Sequence, residues 1–429
     1  MISRMLPKVI VVAGTTGVGK SQLAVQLAAK FQGEIINSDS LQVYKGIPTI
    51  TNKHPLAERH GIAHHLMDHV DWSEEYYLHR FEEECLKAIN DLHSRGKVPI
   101  IVGGTHYYLQ ILFNKRIVGT EKISQPTSEQ LEILDSENPQ LVYDHLVKVD
   151  PEIAQRYHPN DTRRVRRMLE IYYKTGKKAS AAFDAQDLKL RYDTLFYWVY
   201  SDASALNKRL DDRVDSMIKA DGLNEIKQLY DYYTQNNYTK SQCENGVYQV
   251  IGFKEFLPWL ENQNNVTLED CVDQMKVRTR QYAKKQVKWI RKMLIPDIKG
   301  QIYILNATDL DKWDENVASR AFSIADHFMR GLPNLEDFVP AGLQHLIDNS
   351  TKTVEVNNYS PKKVNDWTRF NCGICLDKNN NGLILIGKES WKIHLSSRRH
   401  KANLNRGKKK KQYEEWLSRQ PTQKEDSKG

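Results

Sequence analysis

The chain has 429 residues, 40% of them hydrophobic, and a formal net charge of +8. It has enough apolar residues to bury cores and is too long for a single one, so two or three domains are expected. No apolar run approaches the ~20 residues of a membrane span. The five cysteines, an odd number with no secretory leader, point to a reducing compartment and away from a disulfide scaffold.

Residues 1–7 are too few for a full transit peptide, and Met5 offers a second start. Residues 9–13 read as an apolar strand and residues 21–31 as an amphipathic helix. Between them Gly14, Thr15, Thr16, Gly17, Val18, Gly19, Lys20 and Ser21 complete a G-x-x-x-x-G-K-S loop, in the strand–loop–helix setting this motif requires. Its glycines let backbone N–H groups wrap a diphosphate, Lys20 adds a point charge, and the Ser21 hydroxyl suits Mg2+. The loop predicts a phosphorylated ligand and leaves open whether it is a nucleotide.

A strand at 34–37 is followed by Ser38, Asp39, Ser40, Leu41 and Gln42. Loops at the carboxyl ends of parallel strands hold ligands in α/β sheets, so Asp39 is expected near the phosphate loop. There its carboxylate binds Mg2+ through water, accepts a proton, or simply caps a following helix. His64, His65 and His69 have no Cys or acidic ligand at metal-binding spacing and read as loop packing or a phosphate contact. Helices at 76–94 and 107–113 flank a strand at 98–102, which ends in Gly103, Gly104 and Thr105. Phosphoryl-transfer enzymes with this loop commonly place a magnesium-holding Asp at such a strand end. Glycines and a threonine hydroxyl there count against an ATPase or kinase. They suit a site that cradles a diphosphate leaving group beside a bulky acceptor.

Residues 114–193 are polar and helical, and a strand at 194–201 resumes the α/β pattern, which predicts a helical insertion in a sheet domain. In the insertion, Asp161 caps a helix whose Val165, Met168, Leu169 and Tyr172 share a buried face. Arg163, Arg166 and Arg167 lie on or beside the opposite face, where they grip phosphates or are merely solvated. Along a helix at 206–218, Arg209 and Arg213 sit at the margin of the apolar stripe, available to a diphosphate or to ion pairs with Asp211, Asp212 and Asp215. Helices continue to 295 and end in a long basic one. A last strand falls at 302–305, and 331–365 reads as a linker.

Cys372, Cys375, His394 and His400 follow in a small module at 366–405, spaced C-x2-C-x18-H-x5-H, which suits a tetrahedral structural Zn2+. On a straight helix the two histidines would point about 120° apart, so the helix must bend or end between them. The spacers depart from the DNA-reading finger, and the basic flanks favour RNA over a protein contact. A charged tail, 406–429, reads as disordered; its Lys408–Lys411 run suits nuclear import or RNA binding equally.

Taken in order, Gly14–Ser21, Asn37–Tyr44, 61–66, 103–109, 161–170, 209–217, 252–255 and 279–286 resemble the tRNA dimethylallyltransferases, in their eukaryotic form with a C-terminal zinc finger. Ala63 departs from the proline usual before the two histidines. The resemblance implies a P-loop NTPase-like α/β parallel sheet (1–113 and 194–330), a helical insertion domain contacting tRNA (114–193), a linker (331–365) and a C2H2-type zinc finger (366–405). It implies transfer of a dimethylallyl group from dimethylallyl diphosphate to N6 of the adenosine 3′ to the anticodon, position 37, by an enzyme expected to be a monomer. A cytoplasmic location is expected, and the share held by the nucleus and mitochondria is left open.

The same resemblance assigns roles. Gly14 to Ser21 would hold the donor diphosphate with Ser21-bound Mg2+; Lys20 and Arg213 would neutralise it; Thr16 and Thr105 would line the reacting carbon; Asp39 would take the amine proton. Ser40, Leu41, Gln42 and the Arg163, Arg164, Val165, Arg166, Arg167 helix would contact tRNA, and the finger would clamp the anticodon stem. The rival readings are a nucleoside or nucleotide kinase, an isopentenyltransferase acting on free AMP, ADP or ATP, and a non-catalytic RNA-binding protein.

Overall fold

The structure, a computed structural model, describes residues 6–113, 125–184, 189–239, 243, 245–263, 266–333, 335, 337–347, 368–377, 382–406 and 412. Met1, Met5, Lys408–Lys411 and nearly all of the charged tail lie outside these residues.

The chain divides into two compact units, one from residues 1–115 and 187–356, the other from 116–186 and 357–429. The first unit is built on a six-stranded sheet, ordered β3-β2-β4-β1-β5-β6. The strands are β1 (Lys8–Gly14), β2 (Gly33–Asn37), β3 (His64–His65), β4 (Val98–Val102), β5 (Asp193–Tyr200) and β6 (Tyr303–Asn306). All neighbours pair in parallel. A parallel sheet is covered on both faces, so its central strands β1 and β4 are largely apolar. In β1, Val9, Val11 and Ala13 face one core while Ile10 and Val12 face the other. The helix α1 (Lys20–Phe31) covers the second face with Leu23, Ala24 and Leu27, and α2 (Leu78–Ser94) covers the first with Phe81, Cys85 and Ile89.

From β1 the chain crosses to β2, and from β4, beside β1, it continues on the opposite side to β5. Crevices form where neighbouring strands send their connections in opposite directions. The loops at that point carry Gly14–Ser21 and Gly103–Thr105. The predicted strands at 9–13, 34–37, 98–102, 194–201 and 302–305 are all present to within a residue or two. The helix expected at 107–113 is a 3-10 segment, His106–Leu112.

The expected linker is corrected over its first part. Leu343 and Leu346 are buried, Phe338 stacks on Tyr303 at 4.6 Å, and the Ile304 N–H donates to the Phe338 carbonyl. Residues 335 and 337–347 therefore complete the first unit. The rest of that expected linker, 348–365, lies outside the described residues.

The second unit joins the insertion and the finger module. Helices Ser128–Asp135, Pro139–Val149 and Thr162–Thr175 enclose a core of Val142, Leu146, Val165, Met168 and Leu169. The finger is a hairpin, β7 (Arg369–Leu376) and β8 (Gly382–Ile386), followed by the helix Lys388–Ser396. Asn160 of the insertion donates to Asp377 at 3.1 Å, and the Arg369 guanidinium lies 5.6 Å from the Tyr143 ring centroid. The expectation of separate modules gives way to one unit, because contacts non-local in sequence join them.

Candidate active site

The phosphate loop leaves β1 at Gly14 and enters α1 at Lys20. Gly19, which precedes the helix, has φ +86°, and a Cβ there would lie 2.6 Å from the Trp313 ring. Both the left-handed backbone and the packing require glycine. The Lys20 ammonium reaches the Thr15 carbonyl at 2.5 Å. Burial pulls its pKa down to about 8, a shift opposed by the charge of Asp39 and reinforced by that of Arg213.

Arg213 comes from the helix Ala203–Met217 and donates to the Thr16 hydroxyl at 2.9 Å. Burial lowers it to about 10, which still leaves it cationic at neutral pH. Its Nε and the Thr15 hydroxyl are buried without a protein partner. Unpaired buried polar atoms call for an explanation. Beside a Gly-Lys-Ser loop they fit the oxygens of a diphosphate.

Arg209, one turn away, goes elsewhere: it donates to the carbonyls of Ala307 and Thr308. Of the acidic neighbours, Asp211 pairs with Arg280 and Asp215 with Lys276, tying this helix to the long helix Leu268–Trp289.

Asp39 is positioned by two polar side chains, the buried Asn37 and the half-buried Thr105. The Asn37 amide donates to the carbonyls of Leu66 (2.8 Å) and Asp39 (3.1 Å) and accepts the Asp39 N–H at 3.0 Å. The Thr105 hydroxyl accepts the Ser40 N–H at 3.0 Å and donates to the Ser40 hydroxyl at 3.1 Å. Asp39 itself accepts the Leu41 N–H at 3.1 Å, closing an Asx turn. No helix begins there, so the capping reading is set aside. Burial raises the Asp39 carboxyl above the usual carboxylate range, against the pull of the Leu41 N–H and of Lys20. A carboxylate made more basic in this way is a better proton acceptor.

The glycines after β4 have a packing cause. A Cβ on Gly103 would lie 2.3 Å from the Ser38 carbonyl carbon, so β2 and β4 could not close at their ends. A Cβ on Gly104 would lie 2.6 Å from Gln286 Nε2 and 3.0 Å from Asp39 Oδ2.

Sequence reasoning gave no role to three side chains that hold these loops. His106 places Nε2 3.0 Å from the Gly14 carbonyl oxygen and 3.2 Å from the Gly14 nitrogen, and stacks on Trp289. Burial lowers it to about 3, which keeps the ring neutral. Tyr282 donates to the Gly104 carbonyl at 3.3 Å. Gln286 accepts the Thr16 N–H and donates to the Gly104 carbonyl, each at 2.9 Å. The available signal was the buried stripe of the long basic helix, where Thr279 and Gln286 interrupt Cys271, Met275 and Ala283.

Gln42 donates to the carbonyls of Thr51 and Asn52, which fixes the loop after Asp39. The histidines serve packing: His64 contacts the Ile62 carbonyl, His65 pairs with Glu34 and His69 with Glu84.

In the second unit, the Thr162–Thr175 helix exposes Arg163 and Arg164, while Val165 is fully buried and turned from solvent. Arg166 donates to the Ser136 carbonyl and Arg167 pairs with Glu170. Asp161 occupies the N-cap position without a capping hydrogen bond, its carboxylate drawn instead to Arg164. Cys372, Cys375, His394 and His400 are all buried, and their ligand atoms lie within 4.8 Å of one another. His400 Nδ1 is 3.1 Å from His394 Nε2, 3.5 Å from Cys372 Sγ and 3.7 Å from Cys375 Sγ. Four buried N and S donors at such spacing fit tetrahedral zinc. The helix does end between the histidines: Ser397 is extended (φ −67°, ψ 148°) and its hydroxyl accepts the His400 N–H.

A family model described as IPP transferase matches residues 42–293. The chain is 59% identical over 415 residues to the tRNA dimethylallyltransferase of Saccharomyces cerevisiae, covering 96% of this chain and 95% of that one. It is 31% identical over 436 residues to the tRNA dimethylallyltransferase of Homo sapiens, covering 96% and 88%. Among solved structures it resembles a eukaryotic dimethylallyltransferase acting on tRNA, with a TM-score of 0.87 at 58% identity over 96% of this chain and 100% of that one. A tRNA isopentenylpyrophosphate transferase from Bacillus halodurans aligns with a TM-score of 0.52 at 30% identity, covering 76% and 96%.

Proposed function

The chain belongs to the IPP transferase family, and from that premise we propose how its residues act. It transfers a dimethylallyl group to tRNA. The observation that carries the assignment of roles is that the phosphate loop holds Arg213 through the Thr16 hydroxyl, and that the charges of Asp39 and Arg213 both act on Lys20. The two cations suit a departing anion and the carboxylate suits an attacking amine.

The donor we propose is dimethylallyl diphosphate, with its diphosphate against the Gly14–Ser21 loop. The acceptor is N6 of the adenosine 3′ to the anticodon, unstacked to enter the site. The N6 lone pair forms the bond to C1 of the donor as the C1–O bond breaks, its electrons leaving with diphosphate. The N6 proton passes to the Asp39 carboxylate. Lys20 and Arg213 stabilise the charge that grows on the leaving oxygen. The Thr16 and Thr105 hydroxyls, held by Arg213 and Ser40, line the space between the two loops.

The Ser21 hydroxyl, at the second residue of α1, suits Mg2+ as an oxygen donor. The ion would add charge neutralisation at the diphosphate. Ser40, Leu41 and Gln42 face the base, and Arg163 and Arg164 meet RNA phosphates. Arg166 and Arg167 are engaged within their own unit. Cys372, Cys375, His394 and His400 would hold Zn2+, and their joint ligation would tie the finger together.

Mass spectrometry of total tRNA nucleosides, with and without the protein, tests this reading. Loss of N6-dimethylallyladenosine on deletion is expected, and unchanged levels would refute it. Replacement of a zinc ligand separates binding from chemistry. Cys375→Ser should weaken tRNA binding at least tenfold, about 1.4 kcal/mol, and leave single-turnover transfer at saturating tRNA within a few-fold of wild type. A filter-binding titration beside the rate measurement checks both.

A further inference from the structure

We propose that Gln286 is a positioning residue that holds the donor loop and the acceptor loop in one register. Its side chain is 4% exposed on the long helix Leu268–Trp289, and both of its polar atoms are engaged. Oε1 accepts the Thr16 N–H and Nε2 donates to the Gly104 carbonyl. An uncharged amide supplies an acceptor and a donor on one planar group. Gly104 is matched to it, since a Cβ there would lie 2.6 Å from Nε2.

Each loop carries one half of the site. Thr16 holds Arg213 through its hydroxyl. Gly104 precedes Thr105, whose hydroxyl takes the Ser40 N–H, and lies against Asp39. One amide thus joins the diphosphate's cation to the base that receives the proton. The helix that presents it is fixed to the Arg213 helix through Arg280–Asp211 and Lys276–Asp215. Tyr282, one turn earlier, donates to the same Gly104 carbonyl as a second strut.

Displacement at C1 needs the attacking nitrogen opposite the leaving oxygen, and a misplacement of ~1 Å costs roughly 100-fold in rate. Because both polar atoms of Gln286 bond protein groups, its loss should act on that alignment and not on affinity.

The inference rests on the transfer reading, so the wild-type chain is the internal control. If wild type yields no dimethylallylated tRNA from dimethylallyl diphosphate, that reading fails, whatever Gln286 does. Given wild-type transfer, Gln286→Met removes both hydrogen bonds. Gln286→Glu, of nearly the same shape, keeps the acceptor for Thr16 and sets an oxygen against the Gly104 carbonyl. Single-turnover transfer with both substrates saturating should fall roughly 100-fold in each, with the dissociation constants for tRNA and dimethylallyl diphosphate within about threefold of wild type. Tyr282→Phe, which leaves the amide strut intact, should fall by less than either. A wild-type rate in the Glu variant would overturn the proposal. So would a loss of affinity that accounts for the whole defect. If the Met variant does not fold, the near-isosteric Glu variant decides.

Discussion

Asp39→Ala should reduce single-turnover dimethylallyl transfer by roughly 10²–10⁴-fold, the range lost with a positioned general base, while tRNA affinity stays close to wild type. The backbone at this position is held by Asn37 and Thr105 through hydrogen bonds that the substitution does not remove. Asp39→Asn still accepts the Leu41 N–H and serves as the near-isosteric control. It should lose the rate just as severely, because its amide cannot take a proton. Loss of tRNA binding with an intact rate at saturation would move Asp39 to recognition.

The pH profile gives a second reading of the same residue. The carboxylate must be charged to act, so kcat/KM falls as pH drops through its pKa. Burial raises that pKa, placing the acid limb above the usual Asp range. The Lys20 ammonium must also be charged, so kcat/KM falls as pH rises through about 8. A bell with those two limbs is expected for wild type, since kcat/KM reports the free enzyme. The residual activity of Asp39→Asn should lack the acid limb. An acid limb retained there would assign it to another group.

Arg213→Ala should lower transfer by roughly 10²–10³-fold, as expected when a preorganised donor to a developing anion is removed. The guanidinium is buried, donates to Thr16 and keeps an unpartnered Nε beside the phosphate loop. Arg213→Lys keeps the charge and loses the fork, so it should recover only part of the rate. The rate should fall more than donor affinity, because the charge on the leaving oxygen is greater in the transition state than in the bound donor. Single-turnover rates beside donor titrations separate the two. Arg209→Ala is the contrast. That side chain closes on the Ala307 and Thr308 carbonyls, so its replacement should lower stability and leave the rate within a few-fold. Equal rate losses at the two positions would contradict the assignment of Arg213 to the leaving group.

The sequence by itself determined five of the six sheet strands (only the short His64–His65 strand was missed), the phosphate loop, the position of Asp39 after the second strand and the grouping of Cys372, Cys375, His394 and His400. Each of these depends on neighbours close in the chain. The apolar runs of β1 and β4 mark strands buried on both faces, and G-x-x-x-x-G-K-S is complete within eight residues. Even the break between His394 and His400 followed from helical geometry, and Ser397 supplies it.

What only the tertiary structure decided depends on residues far apart in the chain. Arg213 and Arg209 lie about 40° apart on a helical wheel, and the packing of their helix sends one to Thr16 and the other to the 307–308 carbonyls. Gly103 and Gly104 suggested room for an acceptor; the immediate causes are the Ser38 backbone and the Gln286 amide. The insertion and the finger form one unit through contacts that span more than 200 residues, as between Asn160 and Asp377. Gln286 meets Thr16 across 270 positions. Local sequence sets which groups a segment offers. Whether a buried polar group turns inward to a ligand or to another loop is fixed only when the folded chain brings its partner within hydrogen-bond reach.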